Sequence, residues 1–207
     1  MRSIAPIQPY PLPSEGDLPT NVATWQVDPA RAVLLVHDLQ HFFLRPFPRP
    51  LRDQLLARAG ELLAWARGHG VQVAYSLQPG AMTPQQRGLL ADVWGPGMSA
   101  RPDDRGVPAP IAPREDDWQL TKWRYSAFVR SGLREQIQAS GRDQLVVCGV
   151  YAHVGVLMTL ADAFQHDVQT FLVADATGDF SLRDHRLALD YAASACAVVT
   201  TTKRVAP

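Results

Sequence analysis

The chain has 207 residues, 46% of them hydrophobic, which suits one well-cored α/β domain over residues 1–207 better than two small ones. Its formal net charge is +0, so nothing favours nucleic acid or an anionic membrane surface as a partner. No apolar run approaches the ~20 residues of a membrane span, and the start Met1-Arg2-Ser3-Ile4-Ala5-Pro6 lacks the apolar stretch of a signal peptide, so a cytoplasmic location is expected.

Residues 1–30 carry Pro6, Pro9, Pro11, Pro13, Pro19 and Pro29 among polar residues and read as an extended surface arm, packed on the domain or on a second subunit. Ala32 to His37 is a continuous apolar run, the pattern of a strand covered on both faces. Leu51 to His69 is an amphipathic helix through Leu55, Leu56, Ala59, Leu62, Leu63 and Ala66, stopped by Gly70. Val71 to Ser76 is a second strand, and Thr83-Pro84 starts a short helix with a hydroxyl cap and proline at its first position. Trp94 to Asp117 reads as a long functional loop or lid. Trp118 to Thr121 is a short strand. Ser131 is expected to cap a helix that stops near Gly141. Then come a strand at Leu145 to Cys148, a helix at Ala152 to Gln165, a strand at Thr170 to Ala174, a helix capped by Ser181 and running to about Ser194, and a last strand at Ala197 to Thr201. Cys148 and Cys196 sit in apolar stretches and read as reduced, buried fillers.

This regular alternation implies a parallel sheet with helices on both faces, and in such sheets ligands bind beyond the carboxyl ends of the strands. Asp38, Gln78, Lys122 and the stretch Gly149 to Gly155 all fall just after predicted strands. A partly desolvated carboxylate at Asp38 can act as a general acid, although an Asp there also serves as a cap or turn former. Lys122 is its natural counter-charge, and Trp118, Trp123 and Tyr125 suggest a semi-buried lysine facing a ligand. Arg87 and Arg124 are further candidate carboxylate binders. Tyr151 and His153 lie on the turn, where a structural hydrogen bond is the expected part for the histidine. A metal centre is not expected: His37, Asp38 and His41 are close in sequence, but strand alternation sends His37 and Asp38 to opposite faces. The turn Val150 to Gly155 holds no cysteine or serine, so covalent acyl-enzyme chemistry lacks its nucleophile there. There is neither a phosphate-binding Gly-Lys-Ser/Thr loop nor a Gly-x-Gly-x-x-Gly motif.

His37-Asp38-Leu39-Gln40 with Phe42-Phe43, Gln78-Pro79-Gly80, Trp94-Gly95-Pro96-Gly97, Thr121 to Phe128, Gly149-Val150-Tyr151-Ala152-His153 and Val173-Ala174-Asp175-Ala176 together resemble the isochorismatase family. The similarity covers essentially the whole chain, including Tyr10-Pro11-Leu12-Pro13, and is greatest to the phenazine-pathway branch, which acts on 2-amino-2-deoxyisochorismate. The resemblance implies a three-layer, doubly wound, six-stranded parallel sheet, a homodimer, a small chorismate-derived substrate, no metal or organic cofactor, and a cis peptide between Val150 and Tyr151. In the wider superfamily, amidohydrolases use an Asp, a Lys and a Cys; Asp38 and Lys122 match the first two, and Gly155 stands where the cysteine would be. Vinyl ethers hydrolyse by protonation at the terminal carbon and capture of the oxocarbenium ion by water, which needs an acid and no nucleophilic side chain. By resemblance Asp38 is that acid, with Lys122 beside it. Gln78, Arg87, Tyr151 and the N–H of Gly155 would hold the carboxylates, and Phe42, Trp94 and Tyr125 would wall the ring. Isochorismate itself is the alternative substrate, giving 2,3-dihydro-2,3-dihydroxybenzoate. An amide-cleaving cysteine hydrolase and a catalytically silent pathway scaffold are the other readings.

Overall fold

The computed structural model describes residues 4–207. Each apolar run read as a strand forms one: β1 (Ala32–His37), β2 (Gln72–Leu77), β3 (Trp118–Thr121), β4 (Gln144–Val150), β5 (Gln169–Gly178) and β6 (Val198–Thr200). They make one sheet in the order β3-β2-β1-β4-β5-β6, every pairing parallel. β4 and β5 run further than the apolar patterns suggested, to Val150 and Gly178. An irregularity between Val147 and Gly149 shifts their register, and pairing resumes at Gly149↔Thr177 and Val150↔Gly178.

The helices in chain order are α1 (His41–Leu44), α2 (Arg49–Gly68), α3 (Pro84–Arg87), α4 (Leu90–Trp94), α5 (Pro102–Arg105), α6 (Leu133–Ala139), α7 (Leu157–Phe164), α8 (Leu182–Ala195) and α9 (Thr202–Val205). β1 is buried along its whole length, and its side chains alternate between two cores. Leu34 and Val36 join Leu51, Leu55, Leu62 and Leu63 of α2 on one face; Val33 and Leu35 join Leu133 of α6, Leu160 of α7 and Leu189 of α8 on the other. Two apolar faces closed by helices give the three layers.

Several local expectations shift by a residue or a turn. Ser131 is not the N-cap of α6: Gly132 takes that place in the left-handed region at φ 79, while the Ser131 hydroxyl still accepts the Leu133 N–H at 3.2 Å. The helix expected from Ala152 opens instead as a π-helical turn, Ala152–Val156, before α7. The 94–117 segment is not a bare loop, since α5 and a 3₁₀ turn at Ala109–Ile111 interrupt it, and the buried Tyr75 hydroxyl donates to the Ile111 carbonyl at 2.8 Å. Ser181 does cap α8, accepting the Asp184 N–H at 3.1 Å. The arm packs on its own domain: Ile7 is buried, and Tyr10 Oη accepts the Asp179 N–H at 2.7 Å. Its first three residues lie outside the described residues.

Candidate active site

β1 and β4 are adjacent at the centre of the sheet. The chain leaves β1 for β2 on one side and β4 for β5 on the other, so a crevice opens between their carboxyl ends. Asp38 follows β1 directly and adopts φ 53, in the left-handed region that Asp enters more readily than most residues. This twist turns its carboxylate out of the strand's alternation. Oδ1 accepts from Ser76 Oγ at 2.7 Å, and Oδ2 accepts from Lys122 Nζ at 2.9 Å. All three groups are buried. Parallel register makes this triple: His37 pairs with Ser76, Leu77 pairs with Thr121, and the Lys122 N–H donates to the Leu77 carbonyl at 2.9 Å.

The same twist overturns the expectation that His37 and Asp38 face apart. The His37 imidazole is fully buried with Nδ1 3.8 Å from Asp38 Oδ2. Nδ1 lies 2.9 Å from the Val150 carbonyl and Nε2 3.2 Å from Thr159 Oγ1. Burial pushes this histidine down to about 4, so the ring is neutral at pH 7.

One cavity beyond the strand ends is lined by nine of the residues named from the sequence: Asp38, Phe42, Gln78, Arg87, Trp94, Lys122, Tyr125, Tyr151 and Gly155. Gln78 follows β2 and is clamped by Gln40, which accepts the Gln78 N–H at 2.8 Å and donates to its carbonyl at 3.0 Å. Arg87, at the end of α3, is buried rather than a surface arginine; it donates to Gly95 O at 2.9 Å and Gln78 Oε1 at 3.3 Å. Burial, and then the nearby Arg124, hold its guanidinium below the usual arginine range. Trp94 Nε1 donates to Tyr125 Oη at 2.8 Å, which fixes two ring walls against each other.

Tyr151 follows the cis peptide joining Val150 to it. Its ring faces the cavity, stacked on Phe47 and packed 4.2 Å from Phe180 between centroids. Its hydroxyl, however, donates to the Phe43 carbonyl at 2.6 Å, so the hydrogen that the sequence reading offered to a substrate carboxylate is engaged within the protein. Arg124 is not among the cavity's lining; its guanidinium donates to the Gln86 and Trp123 carbonyls. His153 makes the structural bond expected of it, with Nδ1 2.8 Å from the Asp179 carboxylate, and that bond raises its pKa.

Phe43, read beside Phe42 as part of an aromatic wall, lines the cavity, whereas Ser76, His37, Val154 and Phe180 were missed as parts of the site. A polar residue at the tail of an otherwise apolar strand was the one available signal, and it applied to Ser76 and His37. Neither cysteine offers a thiolate, since burial pushes Cys148 up to about 12 and Cys196 up to about 11. Among the described residues no cluster of three or more His, Cys, Asp and Glu is placed to hold a metal ion. The site is therefore a buried carboxylate–ammonium pair with Gln78 and Arg87 in the same cavity and aromatic rings around it.

A family profile described as the isochorismatase domain matches residues 32–204. The chain is 58% identical over 205 residues to a phenazine biosynthesis protein, PhzD, of Pseudomonas fluorescens, covering 99% of each chain. It is 44% identical to an isochorismatase of Bacillus subtilis, covering 97% of this chain and 65% of that one. In fold it is similar to a cysteine hydrolase from Pseudomonas syringae pv. phaseolicola, with a TM-score of 0.80 and 23% identity over 90% of this chain and 97% of that one.

Proposed function

From the chain's membership of the isochorismatase family of hydrolases, we propose that it cleaves the enolpyruvyl ether of 2-amino-2-deoxyisochorismate to pyruvate and trans-2,3-dihydro-3-hydroxyanthranilate. The observation that carries this reading is the 58% identity, end to end, to a phenazine biosynthesis protein. The site supplies matching chemistry: a buried Asp38–Lys122 pair 2.9 Å apart, with Gly155 in the lining of the same cavity.

Asp38 protonates the terminal methylene of the enolpyruvyl group. The resulting oxocarbenium ion takes up water at the former vinyl carbon, and a proton returns to Asp38. The hemiketal then collapses to pyruvate and the ring alcohol, so the ring C–O bond is never broken. Gln78, Arg87 and the Gly155 N–H hold the substrate's carboxylates. Phe42, Trp94, Tyr125 and Tyr151 enclose the ring and exclude bulk water, which strengthens each charge interaction. No step calls on a metal or organic cofactor.

We also place the protein in the cytoplasm as a homodimer. The two buried free cysteines suit a reducing compartment. Among the described residues no helix is long and apolar enough to cross a membrane. The packed helices α7 and α8 expose Met158, Phe164, Leu187 and Tyr191, apolar surface that a second copy can cover. Light scattering after gel filtration reads the assembly, and a monomer mass would remove the dimer.

The function is tested by following pyruvate release from 2-amino-2-deoxyisochorismate and from isochorismate in parallel. A higher kcat/KM on the amino substrate is expected. Preference for isochorismate would move the chain to the alternative substrate, and no pyruvate from either would leave a silent scaffold.

A further inference from the structure

The backbone at Gly155 comes close to the His37 ring. A methyl group at Gly155 would lie 2.5 Å from His37 Cε1, 3.2 Å from Nε2 and 3.3 Å from the Tyr125 carbonyl oxygen. Those contacts are too short to exist together, and the nearest atom belongs to a ring held at both ends rather than to a flexible tip. The Val150 carbonyl can only accept, so Nδ1 carries the ring hydrogen. In a neutral ring Nε2 is then an acceptor, facing the Thr159 hydroxyl. That hydroxyl accepts the Ala127 N–H at 2.9 Å, and its single hydrogen is shared between Nε2 and the Gly155 carbonyl, to which it donates at 2.7 Å. One imidazole thus links the end of β1, the end of β4, the π-helical turn and the loop that carries Lys122. Asp38 is the next residue, with Oδ2 3.8 Å from Nδ1.

We propose that His37 is the positioning residue of the general acid: its imidazole occupies the space that a side chain at position 155 would need, and from there it holds the left-handed turn at Asp38 and the Gly155 turn in their working geometry. This inference rests on the hydrolase reading above. It also gives a structural reason for the missing nucleophile. A thiol at residue 155 and an imidazole at residue 37 compete for one volume, and this chain fills it with the imidazole. Ser76 and Lys122 grip the two carboxylate oxygens, while His37 fixes the backbone from which the carboxylate projects.

Misplacement of a reacting group by about 1 Å can cost ~10²-fold in rate. His37→Leu, which fills volume without hydrogen bonding, is therefore expected to lower kcat for pyruvate release by about 10- to 100-fold with KM little changed. His37→Gln, which can still donate toward Val150, should retain more of kcat than the Leu variant. In the Asp38→Asn background His37→Leu should cost little more, because a positioning residue has nothing left to position. If the His37 variants fold poorly, Gly155→Ala reads the same contact from the other side. It keeps the N–H but displaces the ring, and kcat should fall while KM holds. A folded His37→Leu or Gly155→Ala variant with wild-type kcat overturns the proposal, as do losses that multiply in the Asp38→Asn cycle. Absence of pyruvate release by the wild-type chain overturns the functional reading itself, whereas an active wild type with an indifferent His37→Leu variant overturns only the positioning role.

Discussion

At Asp38 the backbone conformation and the proposed chemistry coincide. A φ of 53 at a residue with a side chain is uncommon, and here it turns the carboxylate toward Ser76 and Lys122. With Asp38 as the acid, Asp38→Asn keeps the shape and one acceptor oxygen for Lys122, but turns an NH2 toward Ser76 and cannot donate a strongly acidic proton. Its kcat should fall by at least ~10²–10⁴-fold, the usual contribution of general acid catalysis, with substrate affinity retained in a direct binding titration. In oxygen-18 water the ring alcohol should stay unlabelled, and label there would mean attack at the ring. Gly155→Cys tests a second residue. From the sequence alone the new side chain would crowd the substrate, but the glycine's missing Cβ points at the buried His37 ring, 2.5 Å away. The expected result is a less stable protein that releases pyruvate slowly and does not hydrolyse nicotinamide. Robust amide hydrolysis by that variant would show an amidase pocket.

The secondary-structure elements contribute stability by unequal routes. α2 lies against the sheet through a buried stripe, and Gly178 at the end of β5 lets it approach closely: a Cβ there would sit 2.7 Å from Leu55 Cδ1. Leu55 is fully buried, so Leu55→Ala removes apolar contacts and leaves a cavity, at an expected cost of about 2–5 kcal/mol. The N-cap of α8 is a smaller matter. Ser181→Ala loses one hydroxyl bond to the Asp184 N–H and should cost about 0.5–2 kcal/mol. Urea unfolding of both variants checks the order, and a Ser181→Ala loss as large as that of Leu55→Ala would contradict it.

For the molecule as a whole, buried histidines set a pH dependence. Burial holds both His37 and His185 down to about 4 in the folded protein, against an ordinary value of 6.5. Between those values the unfolded chain binds protons that the folded chain refuses, so stability rises with pH across that window and is lost as pH falls from 6.5 to 4. His153 has the opposite sign. Its hydrogen bond to Asp179 raises its pKa, so its contribution is complete below 6.5 and fades as pH rises through the raised value. The urea midpoint should therefore drop between pH 6.5 and pH 4, before the depressed carboxyl of Asp104, at about 2, begins to titrate. A flat profile across that window would mean that neither buried ring is kept neutral by the fold.

Local composition was enough to place the central strands, since parallel strands covered on both faces are apolar nearly throughout, as Ala32 to Val36 and Leu145 to Cys148 are. It was also enough to locate the site, because ligands gather at the carboxyl ends of such strands, and Asp38, Gln78, Lys122, Tyr151 and Gly155, all taken from those ends, line one cavity. The order of the strands was not legible, and with it the partner of each side chain. Ser76 meets Asp38 because β1 and β2 pair in a register that spans 38 residues of sequence. Arg87 is buried in the site while Arg124 is not, although both read alike as cations near strand ends. The sequence could not show that Tyr151 turns its hydroxyl to Phe43, or that His37 turns its ring to Gly155. Those orientations follow from one left-handed residue and from packing between segments more than a hundred residues apart. Short-range pattern determines where chain elements form, whereas side-chain direction is set by close packing that exists only once the elements have met.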